Sequence, residues 1–335
     1  MNIYAAPLQS YTTVFQRMAH QQIFGGVDKY FTPFFEDNKK GGYAPKLLPE
    51  IDSELNHGMP VVPQVLTKEA AFLLQFAQNC KDLNYSEINL NLGCPHPMVT
   101  RRGNGSGLLA TPLILRDLLQ AFFDAQTGIE LSVKMRLALN DTMLWPEVVE
   151  VLNQFPIKEV IVHARTAKQF YKGEPRWDEF EALAKVIRHP LIGNGDINNL
   201  DDMETLKARF PSITTWMVGR GYLANPWLPL QLKGDANVNI GDMKQFRAYF
   251  EQFYSLVKEH VTNPDITRNL LHDFWYYPSE NIEKGRKWRR SLDKKTSLTK
   301  YETMVNELLQ RDWAEKFGTV NDPDSFDPAD YNMNV

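Results

Sequence analysis

Short unbroken apolar runs alternate with stretches of helical periodicity along the first two thirds of the chain. The runs fall at residues 3–6, 29–32, 61–65, 86–90, 130–135, 159–162, 191–192 and 214–218. Apolar positions without polar alternates suit strands covered on both faces, so each run predicts a strand of a parallel sheet. Residues 67–79, 112–126, 145–154, 177–187 and 200–210 carry apolar positions three or four apart and predict amphipathic helices between strands. Strand followed by helix, repeated to eight strands within about 230 residues, favours a closed (β/α)8 TIM barrel over an open doubly wound sheet.

The rhythm changes near residue 241. Residues 243–260, 266–274 and 298–309 have apolar and aromatic positions at helical spacing, with Asn263-Pro264 and Tyr277-Pro278 as breaks. This predicts an α/β barrel domain over residues 1–238 and an all-helical C-terminal domain over residues 239–335. Trp275, Tyr276 and Tyr277 suit either stacking on nucleic-acid bases or the core of that helical domain.

A barrel gathers its chemistry in the loops after its strands. The first strand leads into Ala6, Pro7, Leu8 and Gln9, and the third carries Gln64. The fourth is followed by Asn91, Gly93 and Cys94; the fifth carries Lys134 and Arg136. The sixth leads into His163, Ala164, Arg165 and Thr166, the seventh into Gly193-Asn194-Gly195-Asp196, and the eighth into Gly219-Arg220-Gly221.

Cys94 stands where a strand meets a loop constrained by glycine and proline, a position suited to chemistry. A nucleophilic thiol needs a lowered pKa and a base, whereas a thiol acting as general acid needs to stay protonated, as it does at its ordinary value. The two glycine pairs after the last strands suit a phosphate monoester, pointing to FMN or a sugar phosphate. No Gly-x-Gly-x-x-Gly follows an early strand, which argues against a Rossmann dinucleotide site. Lys134 among apolar strand neighbours needs a partner: either a bound anion such as a flavin edge, or a barrel carboxylate. His163 suits a phosphate or flavin contact or a purely structural role. No metal-ligand spacing, carboxylate pair or Ser/His/Asp arrangement stands out, so a metal site is not expected.

With 335 residues and 43% hydrophobic positions the chain has material for a large core and a smaller unit. Cys80 and Cys94 are its only cysteines and both read as thiols. No basic leader or apolar run of membrane-spanning length is present, so the expectation is a cytoplasmic protein away from membranes. The formal net charge is -4, yet between residues 284 and 300 eight basic residues (Lys284, Arg286, Lys287, Arg289, Arg290, Lys294, Lys295 and Lys300) face only Asp293. Asp322, Asp324, Asp327 and Asp330 concentrate negative charge in the last stretch. The basic segment is either a local polyanion grip or a solvated helix surface.

The run Asn89-Leu90-Asn91-Leu92-Gly93-Cys94-Pro95, with Gly103, Gly105, Gly107 and Leu108 after it, resembles the signature of the tRNA-dihydrouridine synthase family. Val133-Lys134-Met135-Arg136, Val162-His163-Ala164-Arg165-Thr166 with Tyr171 and Gly173, Asn194-Gly195-Asp196 and Gly219-Arg220-Gly221 extend the likeness across the barrel. Gln9-Ser10-Tyr11 and the Arg101-Arg102 loop resemble the bacterial branch that acts on position 16 of the D-loop. Leu8 stands where many members have methionine, and Ala138 where glycine is common.

The resemblance implies reduction of a tRNA uridine to 5,6-dihydrouridine by a monomer that holds FMN, with NADPH as reductant and no dealings with DNA. Cys94 would protonate C5 of the uracil while hydride reaches C6 from the flavin. Ala6, Pro7, Leu8, Gln64, Lys134, His163, Asn194, Gly195, Asp196, Gly219 and Arg220 would contact the cofactor. Asn91, Arg101, Arg102 and Arg165 would contact substrate, with Lys284, Arg286, Lys287, Arg289 and Arg290 gripping tRNA phosphates.

Overall fold

A computed structural model describes residues 1–37, 42–140, 145–236, 238–239, 241–281, 285–292 and 297–310. Nine strands run parallel: β1 (Asn2–Ala5), β2 (Lys29–Phe31), β3 (Val61–Val62), β4 (Gln64–Val65), β5 (Glu87–Leu92), β6 (Glu130–Arg136), β7 (Val160–His163), β8 (Leu191–Asn194) and β9 (Thr215–Val218). The ladder order is β3-β2-β1-β9-β8-β7-β6-β5-β4. Its two ends are halves of one expected strand, interrupted at Pro63, which has no N–H to give the ladder. β3 pairs with β2 and β4 with β5, so this five-residue segment closes the sheet into the expected eight-unit barrel.

The helices, in chain order, are α1 (Val14–Ile23), α2 (Ala70–Asp82), α3 (Pro97–Thr100), α4 (Pro112–Asp124), α5 (Trp145–Leu152), α6 (Trp177–Ala184), α7 (Leu200–Arg209), α8 (Arg220–Ala224), α9 (Leu228–Leu232), α10 (Met243–His260), α11 (Pro264–Tyr276), α12 (Gly285–Leu292) and α13 (Leu298–Leu309). Several starts are written locally. Asp242 accepts hydrogen bonds from the N–H groups of Lys244 and Gln245 at the head of α10, and Asn263 does the same for Asp265 and Ile266 ahead of Pro264 in α11. Among the described residues no helix is long and apolar enough to cross a membrane.

The barrel interior is unusually polar and arranged in tiers. At the N-terminal end of the strands Lys29 pairs with Glu87 and Glu159 at 3.0 and 2.8 Å, Lys158 reaches Glu87 and Glu130, and Tyr4 Oη donates to Glu159. Above them Gln64 Nε2 donates to Asn89 Oδ1 at 2.8 Å and Asn89 Nδ2 to Ser132 Oγ at 2.9 Å. The uppermost tier, at the C-terminal mouth, holds Asn91, Lys134, Arg136, His163 and Asn194 on neighbouring strands in register.

A second apolar core joins α10, α11 and α13 through Phe246, Tyr249, Phe253, Leu271, Trp275 and Val305. It also takes Val14, Phe15 and Ala19 from α1, together with Phe24 and Trp227, so residues on both sides of position 238 build it. α1 is absent from the expected helices because Gln16, Arg17 and His20 are buried with its apolar residues, which blurs the polar face. Arg17 donates to Glu50 Oε2 at 2.7 Å and to Asn56 Oδ1 at 3.0 Å, and His20 lies between Tyr30 and the Pro226 carbonyl. Trp275, Tyr276 and Tyr277 are all buried, the core outcome rather than exposed stacking surfaces.

Candidate active site

β5 runs to Leu92, two residues beyond expectation, so Asn91 sits on the strand and only Gly93 and Cys94 begin the loop. All four backbone polar groups of these two loop residues are engaged. Asn91 Oδ1 accepts from the N–H groups of Gly93 and Cys94 at 3.0 and 2.9 Å. The Gly93 carbonyl accepts from Arg136 Nε at 3.1 Å, and the Cys94 carbonyl from both the N–H and the hydroxyl of Ser106 at 3.1 and 2.8 Å. Gly105 makes that last approach feasible: its φ is +55°, and a Cβ there would stand 2.9 Å from Cys94 Cβ.

The Cys94 side chain is buried against Phe34, Leu66 and Val99. That apolar surrounding pushes its thiol up to about 11, with the His96 backbone, Arg136 and Lys134 opposing. A thiol raised in this way suits a proton-bearing group better than a nucleophile.

A cleft opens at the C-terminal mouth of the barrel, one strand along from the cysteine loop, and Cys94 itself is not part of its lining. Its lining includes Ala6, Pro7, Leu8, Lys134, His163, Asn194, Gly195, Asp196, Gly219 and Arg220, ten of the eleven expected cofactor residues, plus Tyr171. Gln64 is the exception, fully buried in the tier beneath and accepting from Asn91 Nδ2 at 2.8 Å. The sequence-based reason for the glycines also changes. Gly193 is small because the ring of Trp216, its register partner on β9, fills the space where its Cβ would be, at 2.3 Å, so it serves packing between neighbouring strands whether or not a phosphate binds.

Lys134 projects into the cleft without a hydrogen-bond or ion-pair partner among the described residues, so the barrel-carboxylate alternative fails. Burial, then the neighbouring Arg136, lowers its ammonium to about 7. His163 is driven well below its ordinary value by burial and by Arg136, Lys134, Arg165 and Arg220. It is neutral, and because the guanidinium of Arg165 can only donate, His163 Nε2 is the acceptor of their 3.4 Å contact.

One carboxylate answers these cations. Asp196 accepts from Arg165 Nη1 and Arg220 Nη2, each at 2.7 Å, and also from Arg165 Nη2. Burial pushes its carboxyl up, but the two guanidiniums outweigh this and hold it below the usual range. Arg165 is 1% exposed and spends its remaining donors on the Gly173 carbonyl. Arg165 is thus brought to the site's wall rather than to its open face.

Arg136 and Tyr171 carry much of this geometry, and neither was among the expected site residues. The Tyr171 ring meets two guanidiniums, Arg220 at 4.6 Å and Arg136 at 5.4 Å. The signal for Arg136 is its place two residues beyond Lys134, on the same strand face.

The expected nucleic-acid residues divide. Arg101 and Arg102 are exposed on the cysteine loop with no side-chain partner among the described residues. On α12, Arg286 and Arg289 pair with Glu280 at 2.6 and 3.4 Å, whereas Lys287 and Arg290 are exposed. Arg289 also lies 4.0 Å from the Tyr276 ring centroid, and Tyr276 and Tyr277 pack on Tyr11 of the loop after β1, tying α12 to the barrel mouth. Lys284, Lys294, Lys295, Asp293 and the aspartates from Asp322 to Asp330 lie outside the described residues. Among the described residues no three His, Cys, Asp or Glu side chains gather as metal ligands.

The fold is shared by solved structures of low sequence identity. A histamine dehydrogenase from Rhizobium sp. 4-9 superposes with a TM-score of 0.54 at 12% identity over 75% of this chain and 49% of that one. An old yellow enzyme homologue from Zymomonas mobilis gives 0.51 at 12% identity over 74% of this chain and 94% of that one. Among curated relatives, a tRNA-dihydrouridine(16) synthase of Ralstonia nicotianae is 32% identical over 53% of this chain. The match spans about half of that relative, 54% of its length. A probable tRNA-dihydrouridine synthase of Aquifex aeolicus is 27% identical over 77% of this chain and 80% of that protein. The family model described as dihydrouridine synthase matches residues 5–314, and on that extent the chain belongs to the dihydrouridine synthase family.

Proposed function

We propose that this protein reduces the C5=C6 bond of a uridine in the tRNA D-loop, at position 16, using bound FMN and NADPH as reductant. The observation that carries the reading is a clamped thiol at the end of β5, one strand from a cleft that receives Lys134, unpaired among the described residues, and whose wall holds Arg165 and Arg220 on the carboxylate of Asp196. That balance fits a flat cofactor bearing a phosphate, and Lys134 is the cation left free to answer it. Ala6, Pro7, Leu8, His163, Asn194, Gly195, Gly219 and Arg220 would complete the walls, with Gln64 supporting from below.

FMN held by these residues would supply the hydride for C6 of the uracil. Cys94 Sγ holds the proton that C5 takes, its S–H bond breaking as the C–H bond forms. Lys134 would steady the thiolate left behind until solvent reprotonates it. Asn91 fixes the backbone that carries the sulfur, and Arg165 acts through Asp196.

A stacked or paired uridine has to turn out into the mouth, at a cost of a few kcal/mol. Arg101 and Arg102 at the rim, with Lys287 and Arg290 on α12, would hold the surrounding phosphates and offset that cost. The protein would work as a cytoplasmic monomer. Residues 1–238 would serve catalysis and residues 239–335 would orient the tRNA.

Purified protein given FMN, NADPH and unmodified tRNA should form dihydrouridine, mapped to position 16 by single-nucleotide analysis. Turnover of free pyrimidines or enones with none of tRNA would replace this reading with that of a small-alkene reductase.

A further inference from the structure

We propose that Arg136 is a positioning residue that fixes the cysteine loop relative to the cofactor cleft, so that thiol and cleft keep one mutual geometry. This inference rests on the proposed function above. Three groups hold the Gly93–Cys94 backbone: Asn91 Oδ1, the Ser106 N–H and hydroxyl, and the Arg136 guanidinium. Asn91 belongs to the strand that the loop continues, and Ser106 to the turn that follows it. Only Arg136 also grips the loop two strands along the barrel.

Its Nη1 donates to the carbonyls of Thr166 and Phe170, at 2.8 and 2.6 Å, in the loop after β7. Its guanidinium lies over one side of Tyr171, whose ring also receives Arg220, itself bonded to Asp196 in the loop after β8. One planar fork thus spans the β5 and β7 loops and, through Tyr171, reaches the β8 loop. At 2% exposure Arg136 has little freedom to take another arrangement. A lysine would keep the charge but not the fork, because three carbonyl acceptors in different directions need a rigid multi-donor plane.

The consequence is testable without catalysis. In Arg136→Lys the cysteine loop should open locally, and alkylation of Cys94 by iodoacetamide at pH 8, in the FMN-loaded protein, should speed up at least tenfold. The retained charge guards against a change of thiolate fraction masking the effect. Cys80, wholly buried on α2, is the internal reference and should stay protected.

Single-turnover uridine reduction should fall at least tenfold in this variant, with the tRNA KM and the rate of flavin reduction by NADPH each moving less than threefold. Tyr171→Leu should show the same split, and the double variant should lose little more than either single one. Equal exposure of Cys80 and Cys94, unchanged labelling of Cys94, or additive losses in the double variant would each overturn the assignment. If the protein reduces no uridine at all, the labelling results still decide whether Arg136 holds the loop.

Discussion

Asn91 and Lys134 are register partners across β5 and β6, so the amide that caps the cysteine loop stands beside the ammonium that enters the cleft. Their pairing places the anchor of the cysteine loop and the cation on adjacent strands.

Replacing Cys94 with alanine should leave flavin reduction by NADPH within a few-fold of normal while slowing uridine reduction by about two orders of magnitude or more, the usual span of a general acid. In the wild type, thiol pKa near 11 keeps the donor protonated through neutral pH, so the uridine step should stay level there and decline as pH climbs toward that value. Parallel loss of both half-reactions in the alanine variant would show that the sulfur serves the flavin site instead.

Lys134 gives a second pH signature. In the free protein its ammonium sits at about 7, so above that pH an incoming phosphorylated cofactor must draw a proton onto it. FMN affinity should weaken between pH 7 and 9 by up to about tenfold per unit, and calorimetry in buffers of different ionisation heat should register proton uptake. Lys134→Met should bind more weakly and lose this slope; an identical slope in the variant would assign the titration elsewhere.

Asp196→Asn should be costly although it changes few atoms. Arg165, 1% exposed, would be left with an unanswered charge, for which about 3 kcal/mol of lost stability is reasonable, read as a lower denaturation midpoint. Because the folded Asp196 titrates below its ordinary 3.8, its contribution is in place above that value and disappears as pH falls through the folded value. Wild type and variant should therefore converge in acid.

The basic helix separates into two pairs. Neutralising Lys287 and Arg290 should weaken tRNA binding and shallow its salt dependence by roughly one unit per lost phosphate contact. Arg286→Ala should do less to the slope, since Glu280 already answers it. A slope unchanged by the first pair would make α12 an ordinary solvated surface.

Much of the barrel was legible because its strands are buried on both faces and their apolar runs are continuous. The pattern at 243–260 and 298–309 matched α10 and α13 end to end, because both helices show one clear apolar stripe. α1 escaped because its buried face includes Gln16, Arg17 and His20, whose hydrogen bonds replace hydrophobicity as the reason for burial. In the site, Cys94, Lys134 and the cleft-lining loops were readable from residue type at strand ends. What was not readable was division of labour: Arg165 looks like a substrate arginine until its depth is known, and Arg136 like a neighbour of Lys134 until its three carbonyls are seen. Such roles depend on which loops meet across the barrel, which spacing along the chain does not encode.

The shared ownership of the second core has a practical side for anyone wishing to retarget such a protein. A fragment ended at residue 238 would present Val14, Phe15, Phe24 and Trp227 to water where Phe246 and Tyr249 now cover them, and it should aggregate. The helical region is no interchangeable cartridge. A chimera that imports one from a relative will have to bring the matching α1 along with it.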